Sequence, residues 1–262
     1  MKKRIIAAAL AALTVFSSAA TVVSYAEGTF KVGSATVDRA RNGATVSRLS
    51  AQAKGRVSDV FAIAKTQNGY VGKIVNKGKK NEKRYSWFAD GSWNPKLAAA
   101  NRKNAGNWCS EFAYWCLYNA KVPGITKDSL LNDVEAYRDS KAFRIYRFRA
   151  SAENSSKNVH PISQSKIVKN WFGSRYKKAP VLRISGLKKG DVLQICADRK
   201  KSKTAPHHTA LFDHSKGNTI YVVEGNVEAT SSKSRVNGGA DGKSYGSYAA
   251  HEVIAVLRPN YR

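Results

Sequence analysis

Cysteine is scarce in this chain of 262 residues: there are three, Cys109, Cys116 and Cys196, and no two form a CxxC pair. The five histidines supply no HExxH segment and no tight His/Asp cluster, so neither a metal centre nor a cofactor is expected. Acidic residues are few as well. Eighteen Asp and Glu stand against 45 Lys and Arg, a formal charge of +27. Beyond the N-terminus no apolar run is long enough to cross a bilayer, so no membrane span is expected in the rest of the chain. Tandem repeats are missing, and so are the motifs that read nucleic-acid bases, which argues against a specific nucleic-acid partner despite the charge.

What is present begins at the N-terminus. Met1-Lys2-Lys3-Arg4 leads into an apolar run from Ile5 to about Phe16, and Ser24-Tyr25-Ala26 follows. A positive start, a short apolar stretch and a small-x-Ala site predict a secretory signal peptide over residues 1–26, of bacterial type. No cysteine follows the apolar run, so lipid attachment is not expected. Removing Lys2, Lys3 and Arg4 takes the charge from +27 to +24, because residues 1–26 hold no Asp or Glu. The excess is spread over Lys73 to Arg84, Arg138 to Arg149, Lys166 to Lys178 and Arg199 to Lys203. Such a surface draws polyanions towards it. Residues 27–47, rich in Gly, Ser, Thr and charge, read as a flexible leader. Residues 48–262 are long enough for one globular domain with a sizeable core, expected to be a monomer.

The segment WCSEFAYWCLYNA from Trp108 to Ala120 predicts a helix with Cys109 in its first turn, just past a cap at Asn107. Phe112, Ala113, Cys116 and Ala120 fall at i+3, i+4, i+7 and i+11 from Cys109, the spacing of one buried face. A thiol in that place meets the positive end of the helix dipole and unpaired backbone N–H groups, which favour a charged nucleophile.

Far downstream lie its candidate partners. LKKGD, from Leu187 to Asp191, is a turn feeding a strand Val192–Cys196. A loop ending in Pro206-His207 feeds a second strand, His208–Phe212. A turn at Gly217-Asn218 leads to a third, Thr219–Val223, which runs into Glu224-Gly225-Asn226. This alternation predicts an antiparallel meander. It sets a histidine at the start of one strand beside Glu224 and Asn226 at the end of its neighbour. A helix-start cysteine, a strand histidine and a polar orienter make a nucleophile–base–orienter set.

The pieces WCSEFAYWC, KKGDVLQI, HHTALF and YVVEGN, in that order, resemble a CHAP domain, a cysteine- and histidine-dependent amidohydrolase or peptidase related to papain and the NlpC-type peptidases. The stretch Val60 to Tyr70 and the aromatics Tyr85, Trp87 and Phe88 are similar to what precedes the cysteine in such domains. The resemblance spans roughly residues 57 to 258. It implies an α+β, papain-like fold, with the nucleophile helix packed on an antiparallel meander. It implies Cys109 as nucleophile, His208 as general base and Glu224 as the orienting residue, with Asn226 as a substitute or helper. Of the adjacent His207 and His208, the family pattern favours His208, which directly precedes the pair Thr209-Ala210.

The activity so implied is that of a secreted, cell-wall-associated peptidoglycan hydrolase. It would cut either the N-acetylmuramoyl-L-alanine amide or a peptide bond, with anionic wall polymers attracted by the basic surface. Two other readings stand beside it: a non-catalytic wall- or polyanion-binding protein, and a secreted cysteine protease or transamidase acting on proteins. No wall-binding module accompanies the domain. His160, His214 and His251 read as solvated. Cys116 and Cys196 read as buried thiols, with a disulfide between them as the alternative.

Ser50 to Ala64 predicts one amphipathic helix through Val57, Val60, Phe61 and Ala64, and Asn76 to Lys83 a charged loop. Residues 121–186 read as an enlarged insert with helices near Ser129–Ser140 and Ser163–Phe172. Its aromatics Tyr137, Phe143, Tyr146, Phe148, Trp171, Phe172 and Tyr176 belong either to a binding groove or to the core. Ser231 to Tyr248 reads as a Gly- and Ser-rich loop bordering the site.

Overall fold

A computed structural model describes residues 29–32, 35–73, 84–90, 108–126, 141–149, 176, 178–195, 208–230, 233–237 and 246–262. The helices among them are α1 (Gly43–Gln52), α2 (Val57–Thr66), α3 (Trp87–Asp90) and α4 (Cys109–Asn119). The strands, in chain order, are β1 (Thr29–Val32), β2 (Ala35–Asp38), β3 (Val71–Lys73), β4 (Arg84–Ser86), β5 (Phe143–Arg149) and β6 (Val181–Arg183). They continue with β7 (Val192–Ile195), β8 (His208–Lys216), β9 (Thr219–Thr230), β10 (Lys233–Asn237), β11 (Gly246–Ala249) and β12 (Val253–Pro259). The fold is α+β with a mostly antiparallel sheet. Its nine strands run β3-β10-β9-β8-β7-β12-β5-β6, and β11 pairs with β9. Among the described residues only β5 and β6 pair in parallel within it. A small second sheet joins β1, β2 and β4. Among the described residues no helix is long and apolar enough to cross a membrane.

The meander β7-β8-β9 is where the strand and turn residues put it, with the turn at Gly217-Asn218 and Leu211 paired with both Val192 and Val223. The last two strands run further than the apolar stretches alone indicate. The sheet is buried on both faces, which explains its near-continuous apolar runs. On one face Val192, Leu211, Val223, Ala255 and Leu257 join the cluster around α4. On the other, Leu193, Ala210, Phe212, Val222 and Val256 form a second cluster, over which Leu182, Ile184, Leu187 and Tyr248 pack.

Helix α4 differs from the expected half-buried element. Every residue from Cys109 to Leu117 is buried, because β8 and β9 flank one side of the helix while α2 and α3 pack on others. Each large apolar side chain so enclosed contributes about 1.5–3 kcal/mol. The cap also differs. Trp108, not Asn107, holds the cap position, and its carbonyl accepts the Phe112 N–H at 3.0 Å. Asn107 lies outside the described residues.

Other expectations are corrected by backbone geometry. The supposed leader over 27–47 carries the β1–β2 hairpin and the start of α1. The single helix expected over 50–64 is two helices, broken at Gly55. Gly55 has φ 79, and its N–H bonds the Ala120 carbonyl at the end of α4 at 2.8 Å. The supposed insert at 121–186 contributes two strands of the main sheet, β5 against β12 and β6 against β5. Phe143, Tyr146, Phe148 and Tyr176 are buried core residues, not a groove lining. Tyr137, Trp171, Phe172, both expected insert helices and the loop at 76–83 lie outside the described residues, as does the expected signal peptide.

The LKKGD turn has a structural task. Asp191 is fully buried, accepts the Lys188 N–H at 2.8 Å, and takes two bonds of 2.7 Å from the Arg258 guanidinium of β12. The turn is thereby tied to the last strand.

Gly225 sets how closely β9 approaches α4. A Cβ there would lie 2.7 Å from Cζ3 of Trp108 and 2.8 Å from Cβ of Phe112, both fully buried and unable to give way. We expect Gly225→Ala to cost about 1–3 kcal/mol through overpacking. Thermal unfolding should show a midpoint several degrees lower, whereas an unchanged midpoint would contradict this packing.

Candidate active site

The upstream motif shapes the floor of the site. Gln67, fully buried at the end of α2, donates to the Arg41 carbonyl at 2.6 Å and accepts the Arg41 N–H at 2.9 Å. This pair locks the entry to α1 against α2. Three residues on, the Tyr70 hydroxyl accepts the Trp87 N–H at 2.9 Å and so places α3. Phe88 of α3 then stacks on Trp108 with centroids 5.2 Å apart and meets Phe112 and Trp115 edge-on at 5.3 Å. Such pairs add about 0.5–1.5 kcal/mol each beyond their burial. The aromatics that precede the cysteine in sequence thus pack beneath it in space.

Cys109 is the first residue of α4 and is 5% exposed. The first four N–H groups of a helix lack partners within it, so the thiol sits at the positive end of an 11-residue helix. His208 opens β8, and its ring interacts electrostatically with the thiol of Cys109. The Nε2 of His208 lies 2.7 Å from Oε2 of Glu224. The β8–β9 ladder explains the contact with Glu224. Ala210 pairs with Glu224, so His208, two residues earlier on the same face, is a diagonal neighbour of the carboxylate.

Continuing that register would set Asn226 opposite His208, but the ladder stops at Ala210 and Glu224. Asn226 adopts φ 61, and β10 pairs with β9 around it through a register shift. The bulge breaks the shared parity of positions 224 and 226 expected for a regular strand. The residue that bonds His208 is Glu224. His207 and the oxyanion candidates Asn104 and Asn107 lie outside the described residues.

Tyr248 was read only as the edge of a loop. It belongs to β11, which takes the edge of β9 over Thr219–Val222 while β10 takes the same edge beyond Glu224. Its hydroxyl donates to the same Oε2 of Glu224 at 2.7 Å, and its ring lies 5.8 Å from that of His208. The short sequence Gly246-Ser-Tyr-Ala249 carries a weak strand signal next to a glycine-rich run, too little to mark the tyrosine from sequence.

Electrostatically the group is a coupled set. Burial opposes charge on His208, but hydrogen bonds and Coulombic attraction from Cys109 and Glu224 outweigh it, and its pKa is pushed up from 6.5 to about 10. Tyr248 is pushed well above the usual phenol range, first by burial and then by Glu224 and Cys109. Tyr248 therefore remains a donor at any working pH. Cys116 is a free, fully buried thiol whose pKa burial raises, while Cys196 lies outside the described residues. His214 is exposed, as expected, with Nδ1 2.9 Å from Oδ2 of Asp213 and its ring stacked on Tyr221 at 4.5 Å. Among the described residues no group of three or more His, Cys, Asp or Glu is placed to hold a metal ion.

No family model, curated protein or solved structure matches this chain.

Because the pKa of His208 is raised on folding, its charge stabilises the folded state fully below about pH 6.5, and that stabilisation is lost as pH rises through about 10. Glu224→Gln removes the carboxylate's charge beside the ring. Imidazole NMR should then show His208 titrating well below the wild-type midpoint. An unchanged midpoint would mean that the carboxylate does not hold the proton.

Proposed function

We propose that this chain is a secreted, thiol-dependent amide hydrolase of CHAP-like, papain-related architecture, with bacterial peptidoglycan as its substrate. The observation that carries the reading is the hydrogen-bonded pair His208–Glu224, with the Cys109 thiol interacting with the same imidazole from the start of a buried helix. A histidine kept charged beside a cysteine is an acid ready for a leaving amine, and its counter-charge favours the nucleophilic form of the sulfur.

The reaction follows from these positions. The sulfur of Cys109 attacks the amide carbonyl, and the carbonyl oxygen takes up negative charge. The Cys109 backbone N–H, at the helix start and without a partner among the described residues, is one donor for that oxygen. His208 passes its proton to the departing nitrogen, so the C–N bond breaks and a thioester remains. Neutral His208 then takes a proton from water as the water oxygen attacks the thioester. The acid is released and the thiolate and imidazolium are regenerated. Glu224 stays ionised throughout and keeps the imidazole in register.

The choice of peptidoglycan rests on the N-terminal export signal, the basic surface and the motif order. A charge of +24 once residues 1–26 are removed concentrates the protein on an anionic wall and speeds encounter at low salt. Both the muramoyl-alanine amide and a peptide bond of stem or cross-bridge present the carbonyl that this chemistry needs.

Purified peptidoglycan treated with wild-type protein should lose turbidity and release amino groups. Cys109→Ala should leave the wall intact, a loss of at least about a thousandfold, while remaining folded because the side chain is small. Wall digestion by the alanine variant would remove Cys109 from the mechanism. Wall binding without digestion by wild type would favour the polyanion-binding reading instead.

A further inference from the structure

We propose that Tyr248 is a positioning residue for this site: its hydroxyl fixes Oε2 of Glu224 so that the carboxylate keeps hold of His208. The inference rests on the amide-hydrolase reading for its kinetic consequence, but not for its geometry.

One carboxylate oxygen receives two donors, Nε2–H of His208 and the hydroxyl of Tyr248, each at 2.7 Å. A glutamate side chain turns about three bonds, and one hydrogen bond leaves its carboxylate free to swing or to exchange its two oxygens. Two donors from different strands, β8 and β11, converge on one atom and remove that freedom. Glu224 is 2% exposed, so water does not supply the second donor readily.

The tyrosine suits the task for two further reasons. Its phenol stays protonated, held so by burial and by the surrounding Glu224, Cys109 and Glu252, so it donates across the working range of pH. Its ring, tilted 35° to that of His208 at 5.8 Å, covers the imidazole and helps keep solvent from the pair. The ionisable groups around the pair are thus Cys109 from α4, Glu224 from β9, Tyr248 from β11, and Glu252, which follows it. The rest of the ring packs on the second apolar cluster, and phenylalanine preserves that packing. Tyr248→Phe therefore deletes the hydroxyl alone.

The test uses the full chain with labelled histidine, as wild type, Tyr248→Phe, Glu224→Ala and the double variant. In Tyr248→Phe, the His208 ring should titrate at lower pH than in wild type, with a modest fall in melting temperature from the donor lost to a buried carboxylate. On peptidoglycan, kcat should fall about tenfold with KM unchanged, the pattern of lost alignment and not of lost binding. In the Glu224→Ala background the same change should have no further effect on either readout. A merely structural tyrosine would lower the melting temperature and leave the His208 titration in place. An unaltered titration in Tyr248→Phe, or an equal loss in the Glu224→Ala background, would overturn the proposal. Should wild type fail to digest any wall preparation, the hydrolase reading falls, while the His208 titration still decides the role of Tyr248.

Discussion

The structure turns on one buried carboxylate. Removing an ionised Glu from water costs several kcal/mol unless hydrogen bonds replace its hydration. Glu224 sits at 2% exposure with two donors on Oε2, one a histidine that its own charge helps to keep protonated. Neither partner is favourable there alone. An unpaired His208 would lose its proton to burial. The site is stable as a unit, and Cys109 joins it through the imidazole.

Each part of the scaffold serves that unit. The two-faced sheet gives β8 and β9 a rigid register, so the diagonal from His208 to Glu224 is set by backbone pairing and not by side-chain chance. Helix α4 is enclosed so fully that its first turn has one place to be, and the missing side chain at Gly225 lets that turn reach the strands. Phe88 and Trp108, stacked behind the thiol, stiffen the same turn. The Asp191–Arg258 pair closes the LKKGD turn onto β12 and so helps hold β7 beside β12.

The sequence made the chemistry more legible than the architecture around it. Cys109 was visible because apolar residues at helical spacing begin with it. The meander was visible because Gly190, Gly217 and Asn218 punctuate runs of β-branched and aromatic residues. The His208–Glu224 contact followed from the way a hairpin brings its far ends together. What escaped has local causes. Gly55 breaks a helical pattern with a left-handed turn that periodicity does not register. Residues 143–149 form a strand whose partners lie distant in sequence, so no short-range signal announces it. The left-handed bulge at Asn226 overrides the alternation that put it on the face of Glu224. Tyr248 was hidden because a hydroxyl that reaches a carboxylate 24 positions away leaves no trace in spacing.

The central claim is that the imidazolium of His208 readies Cys109 as a nucleophile, and alkylation addresses it without any assumption about substrate. Full-length protein would be treated with iodoacetamide at pH 6, and the labelled cysteine identified and timed by peptide mass spectrometry, in wild type and in His208→Ala. The account predicts label on Cys109 and none on the fully buried Cys116, with a rate at least tenfold lower in His208→Ala. Equal rates in the two proteins, with the alanine variant folded, would show that His208 does not activate the thiol and would contradict the account.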